Sequence, residues 1–123
     1  MGFPAYKIKK MSAQLRVADL DRSVAFYTEV LGFEIEFRYE DFYVGMIKGG
    51  HSIHLKKAWS SLSKPDGEAD PDLILAVEGI EGLYNDLSAR SNAIAQPLRN
   101  MPYGKEFYIA DPDGHTLAFV EEP

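Results

Sequence analysis

Polar and apolar positions alternate from Met11 onward: Ser12, Gln14 and Arg16 share one side, Ala13, Leu15 and Val17 the other. The period then changes. Val24, Tyr27 and Leu31 recur at helical spacing after Asp19 and Asp21, which supply N-cap chemistry, so a helix is expected over Asp21–Leu31. Gly32 suits a left-handed stop, and Phe33 opens a new extended run. FEIEFRYE reads as a strand, Glu40-Asp41 as a turn, FYVGMIK as its hairpin partner, Gly49-Gly50 as a second turn and HSIHLKK as a fourth strand. In that strand Ile53 and Leu55 face the helix, while Ser52, His54 and Lys56 face away.

The same order then returns, with Leu75 and Val77 standing where Leu15 and Val17 stood. Ile80, Leu83, Tyr84 and Leu87 form an i, i+3, i+4, i+7 stripe, the mark of a second amphipathic helix. A weaker strand lies near residues 93–99, where Pro97 points to a sheet edge. GKEFYIA, the turn Asp111-Pro112-Asp113-Gly114 and HTLAFVEE complete the copy, with Phe107 and Ile109 against the helix and Glu106 and Tyr108 on the opposite face. The expected fold class is therefore α+β, two tandem βαβββ modules in a single domain over residues 1–123. Module one covers about 10–57, a linker loop 58–71, and module two about 72–122. Residues 1–9 form a short basic lead-in with Pro4, and the linker carries Trp59 as either a cover or plain connection. His51 and His115 follow turns and are read as solvated; Glu121-Glu122 is read as solvated or packed against a partner module.

Composition narrows the function classes. Hydrophobic residues at 46% and charged residues at 26% match an ordinary globular domain, and a net charge of −6 disfavours nucleic acid or an anionic membrane as partner. No apolar run is long enough to span a membrane and Met1 to Lys10 lacks a signal-peptide core, so a cytoplasmic location is expected. The absence of cysteine removes disulfides, a thiolate nucleophile and sulfur ligands for a metal. No nucleophile elbow, P-loop or dinucleotide fingerprint occurs.

DLDRSVAFYTEVLGF, the internal repeat and YGKEFYIADPDGHTLAFVEE together resemble the vicinal oxygen chelate superfamily, which groups glyoxalases, bleomycin-resistance proteins and extradiol dioxygenases. The resemblance covers roughly residues 11–122; DPDG alone is only a common type I turn. It implies modules that curl into half-open cups with helices on the convex side, their curved mixed sheet enclosing one cleft. It also implies, in metal-dependent members, a divalent ion held by four inward side chains from the first and fourth strands of each module, typically His, Glu or Gln, His and Glu. Here those positions fall on Ser12, His54, Asp72 and Ala118. Catalytic zinc needs about three good protein ligands, and Ser12 is weak while Ala118 offers none. No metal cofactor is therefore expected, and His54 with Asp72 alone would hold a divalent ion only loosely.

The chain looks most like the metal-free, bleomycin-resistance-like branch, whose members are commonly binding proteins. The expected function is binding or sequestering a small, partly aromatic organic ligand or antibiotic, with Arg16, His54, Trp59, Asp72, Tyr103, Glu106 and Tyr108 as candidate contacts. By resemblance Arg16 meets a substrate carboxylate; the competing role is an ion pair with Asp72 or Glu106. Trp59 and Tyr108 either stack on a planar ligand or belong to the core. Asp72 and Glu106 suit a cationic group, and short members of the superfamily are usually homodimers. The alternative is a metal-dependent or metal-free lyase, isomerase or dioxygenase; Asp72, Glu106 or His54 would then accept a proton, and spacing singles out none as catalytic. A third reading is a vestigial cleft filled by Trp59, Tyr103 and Tyr108.

Overall fold

The computed structural model describes residues 2–58 and 70–123. Trp59 and most of the linker loop lie outside the described residues, so their expected role as a cover has no structural account. The chain divides into two compact units, Met1–Trp59 and Ser60–Pro123, each containing one βαβββ module.

In the first module, β1 (Ser12–Val17) leads into α1 (Leu20–Ala25), followed by β2 (Glu34–Tyr39), β3 (Tyr43–Lys48) and β4 (His51–Lys57). The sheet order is β1-β4-β3-β2, with β1 parallel to β4 and the other pairs antiparallel. Leu15, Val17, Val44, Met46, Ile53 and Leu55 are buried on the face that α1 covers, joined by Leu20, Val24 and Tyr27 from the helical segment. Gly49 and Gly50, both at positive φ (55° and 80°), make the tight turn between β3 and β4 that the sequence predicts.

The first helix departs from the regular α-helix expected over Asp21–Leu31. It starts at Leu20, capped by the Asp19 carboxylate, which accepts from the Arg22 N–H at 3.0 Å. After Ala25 it widens into a π-helical turn, Phe26–Val30. The Thr28 hydroxyl donates to the Val24 carbonyl at 2.8 Å, the acceptor that a regular α-turn would assign to the Thr28 amide. The widened turn ends at Gly32 (φ 78°), whose N–H returns to the Thr28 carbonyl at 3.2 Å in a left-handed cap.

The second module repeats the plan with β5 (Leu73–Ala76), α2 (Ile80–Arg90), β6 (Ile94–Met101), β7 (Gly104–Ala110) and β8 (Thr116–Glu121), in the order β5-β8-β7-β6. Again the outer pair, β5 and β8, is parallel. Phe107 is fully buried, stacked on Phe119 at 5.0 Å and met by Tyr84 of α2 at 5.2 Å, so the helix-facing side is the one expected. The strand β6 lies at the sheet edge, as Pro97 implies, but runs two residues beyond Arg99 to Met101 and carries register shifts between Ile94 and Arg99. Glu121 is not free in solvent. Its carboxylate accepts the N–H groups of Gly79 and Ile80 at 3.1 and 3.0 Å, capping α2 from the far end of the chain. Gly79 has no side chain with which to cap, so the acceptor is supplied by a neighbouring strand.

Candidate functional site

Each sheet has one face covered by its helix, which leaves the functional chemistry to the other. In module one that face is built around His54. Its Nδ1 lies 2.8 Å from the Tyr43 hydroxyl, which donates to the Gln14 amide oxygen at 3.0 Å. Nδ1 shares a hydrogen bond with that same hydroxyl, its direction set by the imidazole tautomer, and the other ring nitrogen is Nε2. That Nε2 is buried and has no hydrogen-bond partner among the described residues; the Ser52 hydroxyl is in the same condition. The Phe37 ring packs edge-on against the imidazole at 5.1 Å and lies nearly parallel to Tyr43 at 6.1 Å. Gly45, opposite both Phe37 and His54 in the sheet, makes this possible: a Cβ there would come within 2.2 Å of the Phe37 ring. Arg16 sits on the same strand as Gln14, exposed and opposite Lys56.

In module two the corresponding face is charged. Glu106 is only 2% exposed, yet its carboxylate is fully engaged. Arg99 approaches one oxygen with both Nε (2.7 Å) and Nη2 (2.6 Å), and the Tyr103 hydroxyl donates to the other at 2.5 Å. Burial pushes the Glu106 pKa upward, but the hydrogen bonds from Tyr103 and Arg99 and the guanidinium charge outweigh it, and the net shift is downward. The same carboxylate raises the pKa values of Arg99 and Tyr103 by accepting their hydrogen bonds. The guanidinium also stands over the Tyr108 ring, 5.5 Å from its centroid.

The predicted residues thus sort into two groups. Tyr103, Glu106 and Tyr108 come together in one cluster, and His54 anchors another. Glu106 pairs with Arg99, a partner the sequence reading did not name. Asp72 precedes β5, where its carboxylate accepts the Thr116 N–H at 2.8 Å while its own N–H reaches the Thr116 carbonyl at 2.7 Å. Sequence reasoning misses Arg99 and Tyr43. Arg99 was recoverable from the turn: with Met101 opposite Gly104 around Pro102-Tyr103, counting back along the hairpin places Arg99 opposite Glu106.

Whether these residues fit the metal implied by resemblance is decided by their donors. The register makes the four positions equivalent in pairs: Ser12 lies opposite Ser52, two residues before His54, and Asp72 bonds Thr116, two before Ala118. The first pair offers one imidazole and a weak hydroxyl, the second one carboxylate already accepting an amide and a methyl group. No group of three or more His, Asp or Glu side chains among the described residues could hold a metal ion. The set does not fit a catalytic metal.

Comparison with known proteins completes the description. The family model described as the Glyoxalase/Bleomycin resistance protein/Dioxygenase superfamily matches residues 10–119. A lactoylglutathione lyase of Haemophilus influenzae is 26% identical over 122 residues, covering 90% of both chains. The crystal structure of TioX from Micromonospora sp. ML1 is similar with a TM-score of 0.77 at 22% identity, covering 94% of this chain and 99% of that one. A bleomycin-binding protein from Streptomyces verticillus, complexed with copper(II)-bleomycin, has a TM-score of 0.72 at 20% identity, with coverage of 97% and 100%. At these identities the structural likeness establishes the fold.

Proposed function

The chain belongs to the glyoxalase/bleomycin resistance protein/dioxygenase superfamily, and from that premise we propose that it is a binding protein for a small, partly aromatic organic molecule, held without a metal. The observation that carries this reading is the donor set: Ser12, His54, Asp72 and Ala118 supply two good ligand groups where catalytic metals need about three. The ligand meets a helix-free sheet face, marked in module one by Tyr43 and His54 and in module two by Tyr103 and Tyr108. A solved neighbour that binds bleomycin supports this class of ligand, an antibiotic included. The protein acts in the cytoplasm as a homodimer; exposed Phe3, Tyr6, Ile8 and Met11 before β1 support self-association.

A second reading is a lyase, favoured by relatives bearing that name and by His54 Nε2, which has no hydrogen-bond partner among the described residues and is one group able to bind an added ion. Thermal unfolding with a panel of planar aromatic compounds, run with and without chelator, separates the two. Binding stabilises the native state by mass action, so a ligand should raise Tm equally in both conditions. Stabilisation that requires an equivalent of nickel, zinc or manganese, together with turnover of a hemithioacetal, would replace binding with catalysis.

A further inference from the structure

Glu106 is not free to contact a ligand: both of its oxygens are spent on Arg99 and Tyr103, and it is almost wholly buried. Its partners are placed otherwise. The Arg99 side chain keeps 40% of its surface exposed, against 2% for Glu106, and Tyr103 is 49% exposed. One carboxylate therefore pins two exposed side chains by their inner ends: Arg99 through Nε and Nη2, Tyr103 through its hydroxyl. Guanidinium carries more N–H donors than this arrangement consumes, and they lie in one plane suited to paired oxygen acceptors. The Tyr108 ring beneath the guanidinium further restricts its orientation. Tyr103 is constrained in the same way, since it occupies the two-residue turn between Met101 and Gly104.

We propose that Arg99 and the ring of Tyr103 form the ligand-recognising edge of module two, taking a planar aromatic group that carries an in-plane oxygen acceptor, as an aryl carboxylate or aryl carboxamide does. Glu106 is then a positioning residue. It fixes the fork and the ring in advance and removes most of the entropy cost of ordering them on binding. Because the Arg99–Glu106 pair is neutral as a unit, it recognises the acceptor geometry of the oxygen more than its charge, and a cationic aryl ligand gains nothing from the exposed guanidinium. This inference rests on the small-molecule reading above and assigns it a ligand class.

The test uses the full-length protein with three probes, 2-naphthoate, naphthalene-2-carboxamide and 2-naphthylmethylammonium, titrated by calorimetry and by NMR of the arginine side-chain N–H groups. The expected result is that the carboxylate and carboxamide bind and the ammonium does not. The Arg99 Nη resonances shift, while its Nε–H, held by Glu106, stays in place. Arg99→Lys, which loses the planar fork, should weaken both oxygen-bearing probes about tenfold. Tyr103→Leu, which keeps the fork and removes the ring, provides a second variant should Arg99→Lys disturb the hairpin, and it should weaken both probes as well. Glu106→Gln should broaden the Arg99 Nε–H signal in the free protein and weaken the probes, although Glu106 touches neither. Equal affinity in wild type, Arg99→Lys and Tyr103→Leu would overturn this assignment while leaving a binding function intact. Preference for the ammonium probe would overturn the ligand class. Failure of all three probes while other aromatic compounds in the panel bind would also overturn it, whereas failure of the whole panel would remove the binding function itself.

Discussion

The two modules share strand order and a parallel outer pair, yet their helix-free faces differ in kind. Module one places rings there, with Phe37, Tyr43 and His54 held by a hydrogen bond between phenol and imidazole and by the room that Gly45 leaves. Module two places a buried carboxylate there, neutralised by Arg99 and Tyr103. Their helices differ as well. The cap on α1 comes from Asp19, immediately before it, whereas the cap on α2 comes from Glu121 on the last strand. The helix caps thus differ in range, while on the helix-free faces the order reverses: Glu106 is met by residues three and seven positions away, and Tyr43 reaches Gln14 across twenty-nine. A repeat therefore conserves backbone hydrogen bonding, while the chemistry of each exposed face is free to diverge.

The comparison can be broken most forcefully at its shared part, the core. Phe107→Ala should destabilise the protein by about 3–5 kcal/mol, since the ring is fully buried between Phe119 and Tyr84; urea unfolding monitored by circular dichroism measures it. Gly45→Ala should cost about 1–3 kcal/mol by overpacking against Phe37, and should move the Phe37 and His54 ring resonances while leaving those of Tyr108 in place. Asp19→Ala should cost about 1 kcal/mol through loss of the local cap, measured by the same urea unfolding. Glu121→Gln is the mildest change at neutral pH and the sharpest test of the long-range cap. The Glu121 pKa is lowered by the amides of Ile80 and Gly79, so its contribution is present above the ordinary carboxylate range and lost as pH falls through the depressed native value. The stability gap between wild type and Glu121→Gln should therefore shrink on acidification, as followed by thermal melts from neutral to acid pH.

How much of this was legible depends on the range of the interaction. Strand alternation placed Leu15, Val17, Ile53 and Leu55 correctly in the core, because period-two burial is a local property. The turns at Gly49-Gly50 and at Asp111–Gly114 followed from residue chemistry; the Asp111 carboxylate accepts the N–H groups of Asp113 and His115 at 2.9 and 2.8 Å. The π-turn was not legible, since helical spacing of Val24, Tyr27 and Leu31 tolerates one extra residue per turn and Thr28 gives no pattern of its own. The roles of Glu121 and Arg99 were hidden for another reason. Arg99 depends on a partner across a strand pairing and Glu121 on the amides that open α2, and a charged residue looks the same in sequence whether it faces water or a buried partner. His54 was legible as facing away from the helix, but its contact with Tyr43, and through it Gln14, lies on two other strands.

The parallel outer pair has a kinetic consequence. In each module the hairpins join residues close in sequence, while β1 must find β4 across some forty residues (Ser12 opposite Ser52) and β5 must find β8 across a similar span (Leu73 opposite Leu117). Loop-closure entropy delays contacts of that separation, so the three-stranded meander of each module should form ahead of the strand that closes it. Core substitutions in β3 or β7 should then slow folding, and substitutions in β1 or β5 should chiefly speed unfolding. The two modules, so different in their surface chemistry, would share one order of assembly.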